Sequence, residues 1–294
     1  MDLISSMAMY RRVVEAGSFS AVARETDISQ PTISKHVQAL ENHLGVKLLN
    51  RTTRSLALTE PGKDYYQRCI RILDELAEAE ASVGKQSSSP TGILRINVPV
   101  SFGRTNVLPV VWSFLEKFPD IDMDVIFDDH YSDLVKEGID LAIRIGPLFD
   151  SSLVANKLGS YKRLTVASHS YLEQFGEPKN PEELKQHNCI VFSLLTTGNE
   201  WHYYDEAGEL RKVRVKGRIR TTSPDAMREA TVNGFGISVA PTWLVQDAVD
   251  DGSLKQILTG YTPTSMELNV LYPERHFVPL KVRAFIKHMR ENLD

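Results

Sequence analysis

Hydrophobic residues near the start of the chain recur at the spacing of a helix: Leu3, Ile4, Met7, Val13 and Val14. This repeat predicts an amphipathic helix that ends at Gly17. A second helix is predicted over residues 21–26, and a short turn separates it from a third helix. The third helix begins at Gln30-Pro31, because proline is tolerated in the first turn. The pattern predicts a helix, a tight turn and a helix.

The third helix has one apolar stripe and one polar face. The stripe consists of Ile33, Val37, Leu40 and Leu44. The polar face carries Gln30, Thr32, Ser34, Lys35 and Gln38. Such side chains can hydrogen-bond to base edges in the major groove or to phosphates. An ordinary solvated helix face is the alternative interpretation, since helix-turn-helix matches in sequence are often false.

The segment after Gly45 alternates like two short strands and carries Arg51 and Arg54 at their connection. A hairpin of this kind forms a wing beside the third helix, where guanidinium groups bind phosphate or enter a minor groove. The whole chain has a net charge of -4. Residues 28–58 nevertheless contain four basic residues and a single acid, Glu41. This local charge favours a nucleic-acid partner more than the total suggests.

A series of short motifs in this region resembles the signature of LysR-type transcriptional regulators: Ser18-Phe19, Ser29-Gln30-Pro31, Ser34-Lys35, Leu40-Glu41, Leu44-Gly45, Arg51-Thr52 and Leu58-Thr59-Glu60-Pro61-Gly62. The resemblance implies that third-helix residues approach bases or nearby phosphates of operator DNA, namely Gln30, Pro31, Thr32, Ser34, Lys35 and Gln38. It also implies contacts from the wing by Arg51, Thr53 and Arg54. Thr26 departs from the family, which usually has Leu there, so its hydroxyl needs a backbone acceptor.

A long helix follows, with a seam of apolar residues alternately four and three positions apart: Tyr65, Cys69, Ile72, Leu76, Ala79 and Val83. This spacing is typical of a coiled coil, so pairing with a second copy would bury the seam. Packing on its own domain is the alternative, but little else nearby is expected to cover it. Cys69 is interpreted as a small buried apolar residue. The resemblance implies a dimer through this helix and a tetramer built from dimers.

A polar, helix-breaking stretch around residues 84–92 marks the clearest domain boundary. We therefore expect a winged helix-turn-helix at 1–60, a linker helix and hinge at 61–90, and a third domain at 91–294. Strands alternate with helices after residue 92, which predicts a largely parallel α/β sheet. The resemblance implies a two-lobed, periplasmic-binding-protein-like effector domain. Lobe one then takes residues 91–165 and 263–294, and lobe two takes 166–262.

Ligands of open α/β sheets bind beyond the carboxyl ends of strands, where helix starts offer free amides. By resemblance, the neighbours of a small-molecule effector between the lobes are Ser101, Phe102, Thr196, Ser223 and Phe235. Helix capping is the alternative role of the Ser and Thr residues. Arg144 lies in an apolar strand and needs a partner. That partner is either an anionic ligand or a carboxylate such as Asp128, Asp129 or Asp140.

Composition limits the other functional classes. At 294 residues with 42% apolar and 24% charged residues, the chain is typical of a soluble protein with more than one domain. The two cysteines lack metal-ligand spacing, and no signal peptide or long apolar run is present, so we expect a cytoplasmic protein without membrane contact, metal or cofactor. Motifs of nucleophilic, zinc and phosphate-binding enzymes are absent. The alternative to a non-enzymatic regulator is a small-molecule-binding protein or enzyme whose N-terminal module makes protein contacts.

Overall fold

The structure is a computed structural model that describes residues 2–26, 28–51, 56–83, 89–130, 133–148, 153–195, 197–273 and 278–293. The N-terminal part contains α1 (Leu3–Ala16), α2 (Phe19–Thr26), α3 (Gln30–Leu44), β1 (Leu49–Arg51), β2 (Leu56–Leu58) and α4 (Glu60–Val83). The Ser29 hydroxyl caps α3, and Gly45 ends it in the left-handed conformation with φ 70°. Strands β1 and β2 pair antiparallel. The predicted helix-turn-helix and the strands of the wing are therefore confirmed.

The core of this part joins α1, α3 and the first half of α4. Tyr10, Val13 and Val37 are completely buried, and Cys69 of α4 is buried among them. The expectation that little covers α4 within its own domain is therefore wrong for its first half, which packs on α1. Ile72, on the predicted seam, is exposed. Thr26 finds its backbone acceptor, because its hydroxyl donates to Val22 O at 2.7 Å.

The described residues beyond α4 contain further α-helices and strands and two irregular helices. In order, they are β3 (Gly92–Val98), α5 (Val100–Phe102), a π-helix (Gly103–Val107), α6 (Leu108–Lys117), β4 (Ile121–Phe127), α7 (Leu134–Glu137), β5 (Leu141–Ile145), β6 (Leu153–Tyr161), β7 (Arg163–Ala167), α8 (His169–Phe175), a 3-10 helix (Pro181–Gln186), β8 (Val191–Phe192), β9 (Glu200–Tyr204), β10 (Leu210–Arg214), β11 (Arg220–Thr221), α9 (Pro224–Val232), β12 (Ser238–Pro241) and α10 (Thr242–Asp250). The last ones are β13 (Lys255–Ile257), β14 (Thr262–Pro263), β15 (Met266–Pro273) and α11 (Leu280–Asn292).

The first sheet has the strand order β4-β3-β5-β15-β6. Strand β3 is parallel to β4 and β5, whereas β15 is antiparallel to β5 and β6. Four strands therefore share one direction, as the alternation of strands and helices predicts, and only the returning strand opposes them. The sheet packs against α6 and α11 around a core that includes Phe114 and Phe285. We call this sheet with its helices lobe one.

Lobe two contains the elements from β7 to β14. Strand β7 pairs antiparallel with β12 and β13, and β8 pairs parallel with β11. A third small sheet has the order β10-β9-β14. The chain crosses between the lobes twice, at residues 161–163 and 263–266. Arg163 joins these crossings, because its guanidinium donates to the carbonyl and the hydroxyl of Thr264.

Candidate functional site

The exposed surface of α3 carries most of the predicted DNA contacts. Gln30, Pro31, Thr32 and Lys35 are exposed, whereas Ser34 and Gln38 are half-buried. The side chain of Thr32 lies 2.8 Å from the Ser29 hydroxyl, within hydrogen-bond distance. Proline at the second position of the helix fixes its first turn. The first two turns of α3 thus present an amide, a hydroxyl and an ammonium group on one accessible end.

The base of the wing is fixed by a buried carboxylate. Glu41 of α3 is 3% exposed, and it accepts hydrogen bonds from the backbone amides of Leu48 at 2.9 Å and Leu49 at 3.2 Å. Lys47 Nζ donates to the same carboxylate at 2.7 Å. Burial raises the pKa of Glu41, but these three hydrogen bonds outweigh burial, so the pKa lies below its usual value. The side chain of Glu41 therefore links α3, the predicted recognition helix, to the base of the wing.

Three of the predicted DNA contacts belong to the wing. Thr53 and Arg54 lie outside the described residues, and of Arg51 the structure describes only the backbone position in β1, opposite Leu56.

A cleft lies between the two lobes, at the carboxyl ends of β3 and β4. It has a volume of about 110 Å³. Ser101 and Phe102 line it from the helix that follows β3, Asp128 and Asp129 from the end of β4, and Arg144 from β5. Lobe two contributes a predominantly apolar wall of Phe192, Leu194, Leu195, Met227 and Trp243. The cleft is therefore suited to a ligand that is largely apolar.

Aromatic rings connect the lobes at the cleft. Phe102 is 1% exposed, and its ring packs edge-on against Tyr161 and Trp243 at centroid distances of 5.4 and 5.3 Å. Such edge-to-face pairs are favoured by the ring quadrupoles. Phe102 belongs to lobe one and Trp243 to lobe two, so this contact helps to fix the width of the cleft.

Arg144 is held by neutral oxygens of the protein. It is 4% exposed, and its Nη1 donates to Asn97 Oδ1 at 2.6 Å and to Ile143 O at 2.8 Å. Its Nη2 donates to His130 O at 3.0 Å. Asp140, one of the expected carboxylate partners, instead lies 3.2 Å from Lys281 Nζ. The guanidinium therefore braces β3 and the loop after β4.

Carboxylates form hydrogen bonds at the cleft, where Asp128 and Asp129 line it, and beside it, where Asp225 contacts the lining residue Ser101. Asp129 Oδ1 accepts from the amide of Val100 at 3.0 Å, and Asp225 Oδ2 accepts from the Ser101 hydroxyl at 2.8 Å. The latter bond crosses from α9 of lobe two to lobe one. Asp128 Oδ1 accepts hydrogen bonds from the backbone amide and from the ring Nδ1 of His130, each at 2.9 Å. These two hydrogen bonds lower the pKa of Asp128.

Comparison with known proteins identifies both parts of the chain. Residues 4–63 match the family model for bacterial regulatory helix-turn-helix proteins of the lysR family, and residues 87–294 match the model for the LysR substrate binding domain. The chain belongs to the LysR family of transcriptional regulators. It is a DNA-binding regulator with an effector-binding domain.

Relatives of this LysR-type regulator match along its full length. An HTH-type transcriptional regulator of Xanthomonas campestris is 34% identical over 99% of this chain and 86% of its own length. The HTH-type transcriptional activator AaeR of Escherichia coli is 32% identical over 99% of this chain and 94% of its own. Among solved structures, the Vibrio cholerae virulence activator AphB has a TM-score of 0.60 at 32% identity and covers 98% of both chains. CrgA from Neisseria meningitidis has a TM-score of 0.61 at 31% identity, covering 98% of this chain and 97% of its own.

The structure places the predicted effector neighbours of the LysR-type regulator unequally. Ser101, Phe102 and Arg144 line the cleft, whereas Ser223 caps α9 through a bond from Ala226 N, beside the cleft. Phe235 is 57% exposed and is not among the residues that line the cleft. Thr196 lies outside the described residues.

Sequence reasoning did not select the lobe-two wall of the cleft. Trp243 follows β12, so the rule that sites lie beyond the carboxyl ends of strands applied to it as well. Phe192 ends β8 and carries the same signal. Asp225 had no signal of its own, because an acidic residue in the first turn of a helix is common.

Among the described residues, no helix is long and apolar enough to cross a lipid bilayer.

Proposed function

We propose that this LysR-type regulator binds a two-fold-symmetric operator through α3 and the wing, and that a small effector in the cleft between the lobes alters that binding. The exposed polar end of α3 carries the proposal. Gln30 has the side-chain type that reads adenine by a bidentate contact, while Lys35 can pair with phosphate or guanine. Thr32 offers a hydroxyl on the same end.

Several further contacts belong to the same proposal. Ser34 and Gln38 approach the DNA beside these residues, and Pro31 packs near the backbone. The wing adds Arg51, Thr53 and Arg54. In the free protein Gln38 donates to Asn42 at 3.0 Å, so its contact with DNA requires this bond to be exchanged.

We further propose a dimer through the second half of α4, and a tetramer of such dimers. The first half of α4 is committed to its own domain, but the repeat continues through Leu76, Ala79 and Val83. Two recognition helices related by a two-fold axis would then face two half-sites. The proposed division is 1–60 for the DNA-binding domain, 61–90 for the linker and hinge, and 91–294 for the effector domain.

The proposed regulator acts in the cytoplasm and does not catalyse a reaction. Its curated relatives are named transcriptional regulators or activators. An effector that closes or opens the cleft would act by shifting the populations of two sensor arrangements, since a ligand can shift an equilibrium only by its differential affinity.

Lys35→Ala tests the DNA face, with Lys287→Ala as the control. Both changes remove one exposed lysine, but Lys287 lies on α11, where it pairs with Glu291. Operator fragments would first be selected from a random duplex pool by the unaltered protein. Loss of one phosphate contact should lower the slope of log affinity against log salt by about one. Lys287→Ala should leave that slope unchanged.

Gel-shift titrations across a range of salt concentrations provide the measurement. Equal affinity and equal slope for Lys35→Ala and the unaltered protein would contradict the assigned DNA face. Failure of the selection to enrich any sequence would contradict specific operator binding as such.

A further inference from the structure

Two donors at the start of a helix in the cleft could bind an anionic ligand, but carboxylates of the protein already accept from them. A carboxylate ligand at the start of a helix needs free amide or hydroxyl donors. The amide of Val100 opens the continuous helical stretch 100–117, and it donates to Asp129. The hydroxyl of Ser101 donates to Asp225. An anion would have to displace a carboxylate from each position.

The buried cation of the cleft is engaged in the same way. Both terminal nitrogens of Arg144 donate to protein oxygens, those of Asn97, Ile143 and His130. Releasing the guanidinium to a ligand would leave buried acceptors without donors, which is unfavourable. Arg104 is largely exposed, and its nearest carboxylate is Asp225 at 3.6 Å. The terminal nitrogens of Arg144 are therefore committed to oxygens of the protein, and Arg104 lies beside a carboxylate of the protein.

Acceptors, by contrast, remain open to a ligand. The hydrogen bonds of Asp128 and Asp129 to described residues use Oδ1. Oδ2 of each carboxylate can therefore accept a donor from a ligand in the cleft that both residues line. Trp243 Nε1 is buried and has no hydrogen-bond partner among the described residues. This indole adds a place for an uncharged acceptor on the ligand, but no positive charge.

We propose that the cleft selects a largely apolar, single-ring effector that carries an uncharged or cationic hydrogen-bond donor, and that Asp129 and Asp225 exclude carboxylates. This inference rests on the proposed effector role of the cleft. The volume of about 110 Å³ is below that of the apolar cavities of about 150 Å³ that bind benzene, so the cleft encloses no more than a single ring. Like charges brought together in such a site are strongly disfavoured.

Three probes of nearly equal shape test the proposal: benzoate, benzamide and benzamidine. They carry negative, zero and positive charge on the same ring, and only the last two have N–H donors. Binding to the full-length protein would be measured by titration calorimetry and by thermal shift. Benzamide and benzamidine should bind with dissociation constants about tenfold or more below that of benzoate, given the cost of like charges in a shared site.

Asp129→Asn and Asp225→Asn test the assigned residues. Asparagine keeps an acceptor oxygen for Val100 or Ser101 but removes the negative charge. In each variant the ratio of the dissociation constant of benzoate to that of benzamidine should therefore fall severalfold. The two residues lie on different lobes, so a folding defect in one variant leaves the other available. Asp247→Asn is the matched control, because Asp247 pairs with Arg228. It neither lines the cleft, as Asp129 does, nor bonds a residue that lines it, as Asp225 does.

Benzoate binding as tightly as benzamidine to the unaltered protein would overturn the proposal. Absence of binding by all three probes, or equal preferences in all variants and the unaltered protein, would also overturn it. Operator binding by the same preparations without any probe tests the proposed function separately. A protein that binds its operator but prefers benzoate would refute only the ligand class.

Discussion

Replacing Glu41 with alanine tests whether this buried carboxylate holds the wing to the recognition helix. The alanine variant leaves the amides of Leu48 and Leu49 without their acceptor. A buried donor left unsatisfied costs about 1–3 kcal/mol, so the two amides together cost about 2–6 kcal/mol. This is a large part of the stability of about 5–15 kcal/mol that is usual for a domain.

The isosteric variant Glu41→Gln separates the two roles of the side chain. Its amide oxygen can still accept from both backbone amides, but the ion pair with Lys47, which is 64% exposed, is lost. Exposed ion pairs contribute about 0–1 kcal/mol, and this pair should contribute near the upper end of that range because only its lysine is exposed. The expected order of stability is therefore unaltered protein, then Gln with a small loss, then Ala with a much larger one.

The distribution of tryptophan provides an internal control for this experiment. Trp112, Trp201 and Trp243 all lie beyond residue 91. Tryptophan fluorescence therefore reports unfolding of the effector domain, while far-UV circular dichroism also records the helices of the DNA-binding domain. A loss of about 2 kcal/mol lowers the melting temperature of a domain of this size by about 8–16 °C. Glu41→Ala should show this shift by circular dichroism, with the fluorescence transition unchanged.

Glu60→Gln serves as the control variant, because Glu60 is exposed and pairs with Lys63 in the same helix turn. It should melt as the unaltered protein does. If Glu41→Ala and Glu60→Gln melt together within about 2 °C, which is less than the shift expected for 1 kcal/mol, the two amide bonds do not support the wing, and the reasoning fails.

Two further predictions concern close packing and pH. Gly62→Ala should destabilise the DNA-binding domain and weaken operator binding, because an added Cβ would lie 2.0 Å from Leu48 O; an unchanged melting temperature and gel-shift affinity would contradict this contact. Burial, followed by the charge of Lys117, lowers the pKa of His288 below its usual 6.5. As the pH falls, His288 therefore takes up a proton in the unfolded chain before it does so in the folded protein. The free energy of unfolding consequently declines below about pH 6.5. His288→Gln should flatten the melting temperature between pH 7 and the folded-state pKa, and an identical pH profile would refute this.

Local rules were sufficient to predict the helix-turn-helix. The capping serine at 29, proline in the next turn and glycine at 45 all act within a few residues, and the structure has α3 at the predicted bounds. Strand β6 was not predicted, because it lies at the sheet edge and its exposed and half-buried positions do not alternate strictly.

The charge preference of the cleft depends on contacts that no local pattern encodes. The resemblance to the LysR family was sufficient to place Ser101 beside the cleft, but the acceptor of its hydroxyl, Asp225, lies 124 residues away. The two meet only because the chain crosses between the lobes and returns. A serine before a helix start can therefore donate its hydroxyl to a ligand in one protein but not in another. The difference depends on whether a carboxylate from the other lobe already accepts from that hydroxyl. Here the carboxylate does reach it, so an effector that displaced Asp225 from Ser101 would leave a second negative charge in the cleft if it were itself an anion.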